Sequence, residues 1–363
     1  MTKIAIVGDM HFGFKNGDKD FLDFQKSWLA DYFLPYCKEN GIEDIIQTGD
    51  FFDIRKYMPL NVMDMVLNWL PEKLHSNGIK SLSVPAGNHD LFYRDVNTIS
   101  SVDLLHSIKS NSLKINIAKE KPILLKFGDK KVALLPYLSK DIKDNLLDSL
   151  ASIVSTNGNV DYLVAHLDVI GMPMMKGHLC EHGVDLETFK SFTRVISGHF
   201  HIPSEHKNLT ITGAPYILNW GDYSDRTPRG FYVLDTDSDA LNFVPNPDFL
   251  TLFSVIGYDP EVKYDESTFE PYSGNIVKVL VSKKDNEKHY KNFTKLLNEA
   301  SFLSFSIIDV SEQKIEKVVI SEKTLALNTI SAISDYIDKQ DNDIDKQGLK
   351  ELAADIYKEV TNG

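Results

Sequence analysis

The sequence predicts an α/β fold in which two mixed sheets pack face to face with helices outside, followed by a small α+β domain and terminal helices. Over the first hundred residues, buried-type apolar runs alternate with amphipathic helical patterns, as in parallel sheets covered by helices. After residue 112, short strands and turns prevail. Near residue 260, a polar stretch through Asp259-Pro260 to Ser273 is typical of a linker. We therefore divide the chain into residues 1–260, 261–320 and 321–363.

The first part of the chain alternates strands with helices. Apolar residues at helical spacing predict helices over 20–39, with a kink at Pro35 and an end at Gly41, and over 60–76. The strands are short apolar runs, and each ends in a polar motif. They cover residues 3–8, 43–48 and 79–84, which lead into Asp9-Met10-His11, Gly49-Asp50 and Gly87-Asn88-His89-Asp90.

The rest of the chain is richer in strands. Gly128-Asp129 marks a turn within strands over 112–136, and a helix is predicted over 141–155. Strands over 160–165 and 193–197 lead into His166 and into Gly198-His199-Phe200-His201, and 208–245 has an antiparallel pattern. The C-terminal part predicts a strand, a helix and a strand over 275–281, 285–299 and 302–310, then amphipathic helices over 322–338 and 347–360.

The five polar motifs predict one site for two metal ions, because ligand groups gather beyond the carboxyl ends of parallel strands. In extended chain, residues i and i+2 point the same way, so Asp9 and His11 can reach one ion. His199 and His201 can flank two ions, and Asp50 can bridge them. Such mixed ligands suit manganese, iron or zinc, and paired ions activate water for displacement at phosphorus. The predicted metal ligands are Asp9, His11, Asp50, Asn88, His166, His199 and His201.

Three neighbouring residues are interpreted as supporting groups. His89 is adjacent to a ligand but faces away from it, so we predict that it protonates or hydrogen-bonds the leaving oxygen. Asp53 is either a partner of a ligand histidine or a polar loop residue. Asp90 either orients His89 or caps the following turn.

Composition limits the function further. The net charge is −13, which argues against strong unaided binding to nucleic acid. Two divalent ions would nevertheless make the predicted ligand cluster positive. No apolar run is long enough for a membrane span, so no membrane partner is expected, and two cysteines give no disulfide framework. A reducing cytoplasm is the expected location.

Together, Asp9-x-His11, Gly49-Asp50-x-x-Asp53, Gly87-Asn88-His89-Asp90, His166 and Gly198-His199-x-His201 resemble the motifs of calcineurin-like metallophosphoesterases. Within that family the chain resembles SbcD-type DNA-repair nucleases. The stretch from Gly213-Ala214-Pro215-Tyr216 to Trp220, with Arg229-Gly230-Phe231, is most similar to T-even-type phage recombination nucleases. Where the family often has Gly-His at the fourth motif, this chain has Ala165-His166.

This resemblance implies a four-layer α/β/β/α core, a capping domain after residue 260, and two manganese ions. Asp9, His11, Asp50 and His201 would hold one ion, and Asp50, Asn88, His166 and His199 the other. His89 would be catalytic. The implied activity is a 3′-to-5′ exonuclease and endonuclease in DNA recombination and repair, in a bacterial or phage-infected cell. The implied partners are DNA, a second copy in a homodimer, and an SMC-like ATPase of the SbcC type, which the C-terminal helices would meet.

Candidate DNA contacts come from a basic stretch and from aromatic residues. The basic stretch could track a DNA backbone or form a solvated hairpin. The aromatic residues could stack on bases or serve only in packing. The candidates are Lys114, Lys130, Lys131, Tyr216 and Trp220.

Two alternative functions stay open at this point. The first is a metallophosphatase or a cyclic-nucleotide phosphodiesterase. Such phosphatases usually continue the second motif as Asp-Arg-Gly, whereas this chain reads Asp53-Ile54-Arg55. The second is a non-catalytic scaffold that binds partners through the helix at 347–360.

Overall fold

The computed structural model describes residues 2–309 except Asn111, Lys176, Gly177, Arg226 and Phe249, and beyond them Lys346 and Lys350. The predicted helices over 322–338 and 347–360 lie outside the described residues, apart from Lys350. Within the described part of the chain, no helix is long and apolar enough to cross a membrane.

The strands match most of the apolar runs in the sequence. They are β1 (Lys3–Val7), β2 (Asp44–Gln47), β3 (Ser81–Pro85), β4 (Lys114–Ala118), β5 (Ile123–Phe127), β6 (Lys130–Leu135), β7 (Tyr162–His166), β8 (Pro173–Met175), β9 (His178–Leu179), β10 (Arg194–Gly198), β11 (Ser204–His206), β12 (Leu209–Ile211), β13 (Gly230–Asp235), β14 (Ala240–Pro245), β15 (Phe253–Tyr258), β16 (Ile276–Val281) and β17 (Ser304–Asp309).

Among the described residues, two six-stranded sheets form the main body. The first has the order β14-β13-β1-β2-β3-β4, and the second β11-β12-β10-β7-β6-β5. Strands β1 to β4 run parallel, whereas β13 joins β1 antiparallel. In the second sheet β6, β7, β10 and β12 run parallel, and β5 and β11 are antiparallel edges. The prediction of two mixed sheets is confirmed.

The sheets pack face to face and helices cover their outer faces. Ile4 and Ile46 of the first sheet share a buried cluster with Val164 and Ile196 of the second. Separate clusters join each sheet to its helices, which gives the four layers. The α-helical segments are Phe14–Gly17, Lys19–Ser27, Leu34–Glu39, Leu60–Asp64, Leu70–Ser76, Lys143–Asn157, Trp220–Asp225 and Glu287–Glu299; the 3₁₀ turns are Ser101–Ser107, Leu186–Phe189, Glu266–Thr268 and Glu270–Tyr272.

The two predicted N-terminal helices form, each with a π-helical segment before its proline. These segments are Trp28–Phe33 and Met65–Trp69, and they precede Pro35 and Pro71. Proline lacks the N–H that an α-helix needs and crowds the preceding turn. The wider turn relieves that crowding, so each helix continues past its proline.

The C-terminal part of the described chain is a parallel sheet of β15, β16 and β17 with the helix Glu287–Glu299 packed on it. The interpretation of 259–273 as a linker is wrong: Tyr264 and Phe269 in this stretch are buried against Phe293. Strand β15 begins before the proposed boundary at residue 260, and the division of the chain into domains stays a prediction.

Candidate metal centre

The five polar motifs meet where the two sheets present the carboxyl ends of their strands. Among the described residues, three groups of His and Asp side chains place their ligand atoms within 4.8 Å of one another. They are Asp9, His11 and His201; His11, Asp50 and His89; and Asp50, His166 and His199. Strands β1, β2 and β3 supply residues from one sheet, and β7 and β10 supply the others, so the cluster spans both sheets.

The first candidate metal position lies among Asp9, His11 and His201. The Nε2 atoms of His11 and His201 are only 3.2 Å apart. One oxygen of Asp9, Oδ2, accepts the backbone N–H of His199 at 2.9 Å, while Oδ1 is buried without a hydrogen-bond partner. An unpaired buried carboxylate oxygen is costly, and a cation at this position would satisfy it.

The second candidate metal position lies among Asn88, His166 and His199. Nε2 of His166 and Nδ1 of His199 are 3.2 Å apart, and each is 2.9 Å from the side-chain oxygen of Asn88. Oδ2 of Asp50 is 3.3 Å from His166 Nε2 and 3.8 Å from His11 Nε2. Asp50 therefore lies between the two positions, as a bridging ligand must.

The four histidines at the two positions each have their other ring nitrogen anchored. His11 Nδ1 lies 3.0 Å from Asp53 Oδ1, and His166 Nδ1 lies 3.0 Å from the Thr48 carbonyl. In the same way, His199 Nε2 is 2.6 Å from Asp168 and His201 Nδ1 is 3.4 Å from Asp222. Anchoring one nitrogen leaves the other as the lone-pair donor and fixes the plane of the ring. The cluster is thus suited to hold two divalent ions.

Two of the three carboxylate anchors, Asp168 and Asp222, were not predicted from the sequence. Asp168 follows His166 at the i+2 spacing already used for Asp9 and His11, and that spacing was the available signal. Asp222 lies in the helix Trp220–Asp225, far along the chain from the motif it supports, and carries no comparable signal.

The backbone of the motifs is bent sharply at the ligands. The backbone φ angles of His11, Asp50 and His199 are 48°, 52° and 91°. Residues other than glycine rarely adopt such positive values. Gly87 is required for another reason: a Cβ there would lie 2.2 Å from both the backbone nitrogen and Oδ1 of Asp50. The motifs therefore encode tight turns as well as ligands.

The two central carboxylates are buried next to each other. Burial and the neighbouring charge of Asp50 raise the pKa of Asp9 well above its usual range. Burial also opposes ionisation of Asp50, but the charges of His166 and His89 hold its pKa well below the usual range. Divalent cations would offset the repulsion between these carboxylates, which agrees with the donor set.

His89 faces a more open space than the ligand histidines. Its side chain is 40% exposed, whereas His11 and His166 are buried. Its Nδ1 is 3.0 Å from the Asp53 carbonyl, and its backbone N–H donates to Asp50 Oδ1 at 2.8 Å. With Nδ1 donating to that carbonyl, Nε2 is free to act on a bound substrate.

Asp90 holds the loops around the site together. Its carboxylate accepts the backbone N–H groups of Gly87, Phe51 and Phe52 at 2.8, 3.2 and 2.9 Å. Both carboxylate oxygens are used by backbone groups of Gly87, which precedes Asp90, and of the loop after β2, so these bonds support neither alternative, orientation of His89 or capping of the following turn.

The two aromatic residues predicted as DNA contacts are engaged in packing. Tyr216 is 1% exposed, and its hydroxyl donates to the Met10 carbonyl, so its prediction as a base-stacking residue is wrong. Trp220 packs edge-on against Phe253, with Lys278 Nζ 4.1 Å from its ring centroid, which favours the packing alternative.

Lys114 lies at the start of β4, and Lys130 and Lys131 lie at the start of β6. The carboxyl ends of both strands point toward the site, so these lysines lie at the far ends of the strands, away from the metal cluster. Lys130 pairs with Asp161 and Asp239, and Lys131 donates to the Asn157 carbonyl. Contacts between these lysines and DNA bound at the metal cluster are therefore not supported.

Comparison with known proteins agrees with this geometry. Residues 2–203 match the family model described as calcineurin-like phosphoesterase. The chain is 30% identical to exonuclease subunit 1 of Enterobacteria phage T4, over 99% of each sequence. It is 23% identical to the SbcD subunit of nuclease SbcCD from Staphylococcus epidermidis, over 67% of this chain and 69% of the relative. The predicted resemblance is confirmed, and the chain belongs to the calcineurin-like phosphoesterase family, whose members use divalent metal ions.

Proposed function

We propose that the chain is a manganese-dependent DNA nuclease, with 3′-to-5′ exonuclease and endonuclease activity in recombination and repair. The observation that carries this proposal is the double cluster of ligand atoms with Asp50 between its two halves. The names of the two relatives, an exonuclease subunit and a nuclease subunit, support DNA as the substrate.

The protein residues have distinct roles in this proposal. Asp9, His11 and His201 would hold one ion, Asn88, His166 and His199 would hold the other, and Asp50 would contribute to both. When bound, two divalent ions supply an activated water and neutralise charge on the phosphodiester. With both ring nitrogens of His89 protonated, Nδ1–H donates to the Asp53 carbonyl and fixes the ring, and Nε2–H gives its proton to the leaving sugar oxygen, which leaves a neutral imidazole.

Positive charge near the cluster supports an anionic substrate. Burial and the neighbouring charge of Arg94 lower the pKa of Arg55, which also interacts with Asp50 and Tyr137. Arg55 lies on the loop that follows β2, and Arg94 lies on the loop that follows β3. They are suited to bind a phosphate next to the scissile one.

The chain has a net charge of −13, which does not favour DNA binding by the chain alone. A partner that contributes to DNA binding would compensate for this charge. We include in the proposal an SMC-like ATPase of the SbcC type, because one relative is named as a subunit of SbcCD and the other as an exonuclease subunit. Assembly as a homodimer and a cytoplasmic location are further parts of the proposal.

The other functions remain as outcomes of the test. A metallophosphatase or cyclic-nucleotide phosphodiesterase would use the same cluster on a smaller substrate. A non-catalytic scaffold is disfavoured because each predicted ligand is present at the cluster or in contact with it.

Digestion of end-labelled duplex and single-stranded DNA tests the proposal directly. Wild type, His89→Asn and the exposed-histidine control His106→Asn are compared with manganese, with magnesium and with chelator. We expect cleavage with manganese, its loss on chelation, and a drop of about 100-fold or more for His89→Asn alone. Each variant is also assayed for bound manganese.

Cleavage of a small phosphodiester without DNA cleavage, with and without the ATPase partner, would overturn the choice of substrate. Unchanged activity of His89→Asn would overturn the role of His89. Absence of any hydrolysis together with absence of metal binding would favour the scaffold.

A further inference from the structure

We propose that Asp222, supported by Arg229, is a positioning residue that sets metal affinity at the position formed by Asp9, His11 and His201. The proposal rests on the two-ion site described above. It also gives a role to the stretch from Gly213 to Phe231. This stretch resembles phage nucleases but contains none of the predicted metal ligands.

Asp222 is fixed through both carboxylate oxygens. Oδ1 lies 3.4 Å from His201 Nδ1, and Oδ2 accepts the backbone N–H of Leu218 at 3.1 Å. Its own N–H donates to Asn219 Oδ1 at 3.0 Å. Since the carboxylate cannot rotate without losing a bond, it presents one oxygen to the His201 ring.

Arg229 fixes the backbone of the same ligand. One guanidinium NH₂ group donates to the His201 carbonyl, and the other donates to Asp225 at 2.6 Å and to the Asp222 carbonyl at 3.4 Å. The pair of Arg229 and Asp225 is almost fully buried, so its geometry is held by packing as well as by charge. His201 is therefore held at two places, its ring by Asp222 and its backbone by Arg229.

Each metal position combines one partly exposed histidine with one buried histidine. The His201 side chain is 27% exposed and His199 is 17% exposed, whereas His11 and His166 are almost fully buried. An exposed ring is less restrained by packing, so its orientation depends more on its carboxylate partner. Because Asp222 contacts His201, a ligand of the first position, its loss should weaken that position selectively. Asp168, 2.6 Å from His199, is the corresponding group at the second position.

Manganese binding to the full chain, without DNA, tests this inference. Asp222→Asn is compared with wild type, with Asp168→Asn, and with the exposed control Asp31→Asn. Calorimetry should show that Asp222→Asn weakens one of two manganese sites by about 10- to 100-fold and leaves the other unchanged. Electron paramagnetic resonance should then show an isolated manganese ion at metal concentrations that give a coupled pair in wild type.

The affected position is identified in a background that lacks its ligand. In His201→Ala, adding Asp222→Asn should cause no further loss of manganese affinity, because both changes act on the same position. Asp168→Asn should still weaken the remaining ion in that background. Far-UV circular dichroism and thermal unfolding confirm that each variant is folded; if Asp222→Asn is not, Asp222→Glu replaces it and the same selective loss is required.

Wild-type affinity at both positions, or an equal loss at both, would overturn the role of Asp222. A folded wild-type protein that binds a single manganese ion would instead overturn the two-ion site. Neither result depends on whether the chain cleaves DNA. Failure of this inference can therefore be distinguished from failure of the nuclease proposal.

Discussion

Replacing Gln25 by Met and Tyr216 by Phe should reveal that these two side chains share one buried acceptor beside the metal centre. Gln25 Nε2 donates to the carbonyls of Met10 and His11 at 2.8 and 3.2 Å and contacts the Tyr216 hydroxyl at 3.0 Å. The Tyr216 hydroxyl donates to the same Met10 carbonyl at 2.6 Å. Both side chains are buried.

The expected free-energy changes follow from counting what each variant leaves unpaired. Tyr216→Phe removes the hydroxyl that donates to the Met10 carbonyl and accepts from Gln25, but it leaves the Met10 carbonyl bonded to Gln25, so it should cost about 1–2 kcal/mol of unfolding free energy. Gln25→Met should cost about 1–2 kcal/mol; it also removes the buried Gln25 Oε1, which has no partner. The double variant leaves that carbonyl without either donor, which adds about 1–3 kcal/mol. The bond between Gln25 and Tyr216 is lost in both single variants and is counted twice in their sum, so the net excess over the sum is about 1 kcal/mol smaller.

Urea unfolding of the metal-free protein, followed by circular dichroism, measures this coupling. The control pair is Gln25→Met with Tyr32→Phe, which also removes a hydroxyl bonded to a backbone carbonyl, that of Pro245, at an exposed site. The control changes should be additive within about 0.5 kcal/mol. If the free-energy changes of Gln25→Met and Tyr216→Phe are also additive within about 0.5 kcal/mol, the shared acceptor is refuted.

Two further predictions concern burial and close approach. Burial raises the pKa of Cys37 to about 12 and also raises that of Cys180, so a thiol reagent should modify both quickly only in denaturant; prompt modification of the native protein would contradict this. In Gly87→Ala the new Cβ would lie 2.2 Å from two atoms of Asp50, so we expect destabilisation of about 2 kcal/mol or more and weaker manganese binding. Wild-type binding by calorimetry would contradict that geometry.

The architecture around the site was predictable because it depends on local patterns. Apolar runs of strand length and the residues that follow them can be read directly from the sequence, and parallel strands bring their carboxyl ends to one edge. This reasoning predicted the neighbours of Asp50, whose motif, at the end of β2, lies between those of Asp9 and Asn88 in the sheet. For Asp53 the sequence left two alternatives, a partner of a ligand histidine or a polar loop residue, and its 3.0 Å contact with His11 favours the first.

Orientation relative to the core was not predictable from the same patterns. Tyr216 and Trp220 are near each other in sequence, yet one is buried under the first motif and the other packs on Phe253. The polar composition of 259–273 led to the prediction of a linker. Its two aromatic residues Tyr264 and Phe269 are nevertheless buried, and two such side chains suffice to pack an otherwise polar segment against the core. Composition averages over such residues, whereas packing depends on each one.

The same distinction explains how the metal centre is built. Strand ends bring imidazole and carboxylate groups within a few ångströms, but they do not fix which ring nitrogen faces the ion. That choice comes from residues outside the strands, such as Asp222, which is joined to His201 only by the tertiary fold. A metal position can therefore keep all its ligands and still lose affinity when an anchor is changed. Measuring the two positions separately distinguishes the contribution of the strand ends from that of the anchors.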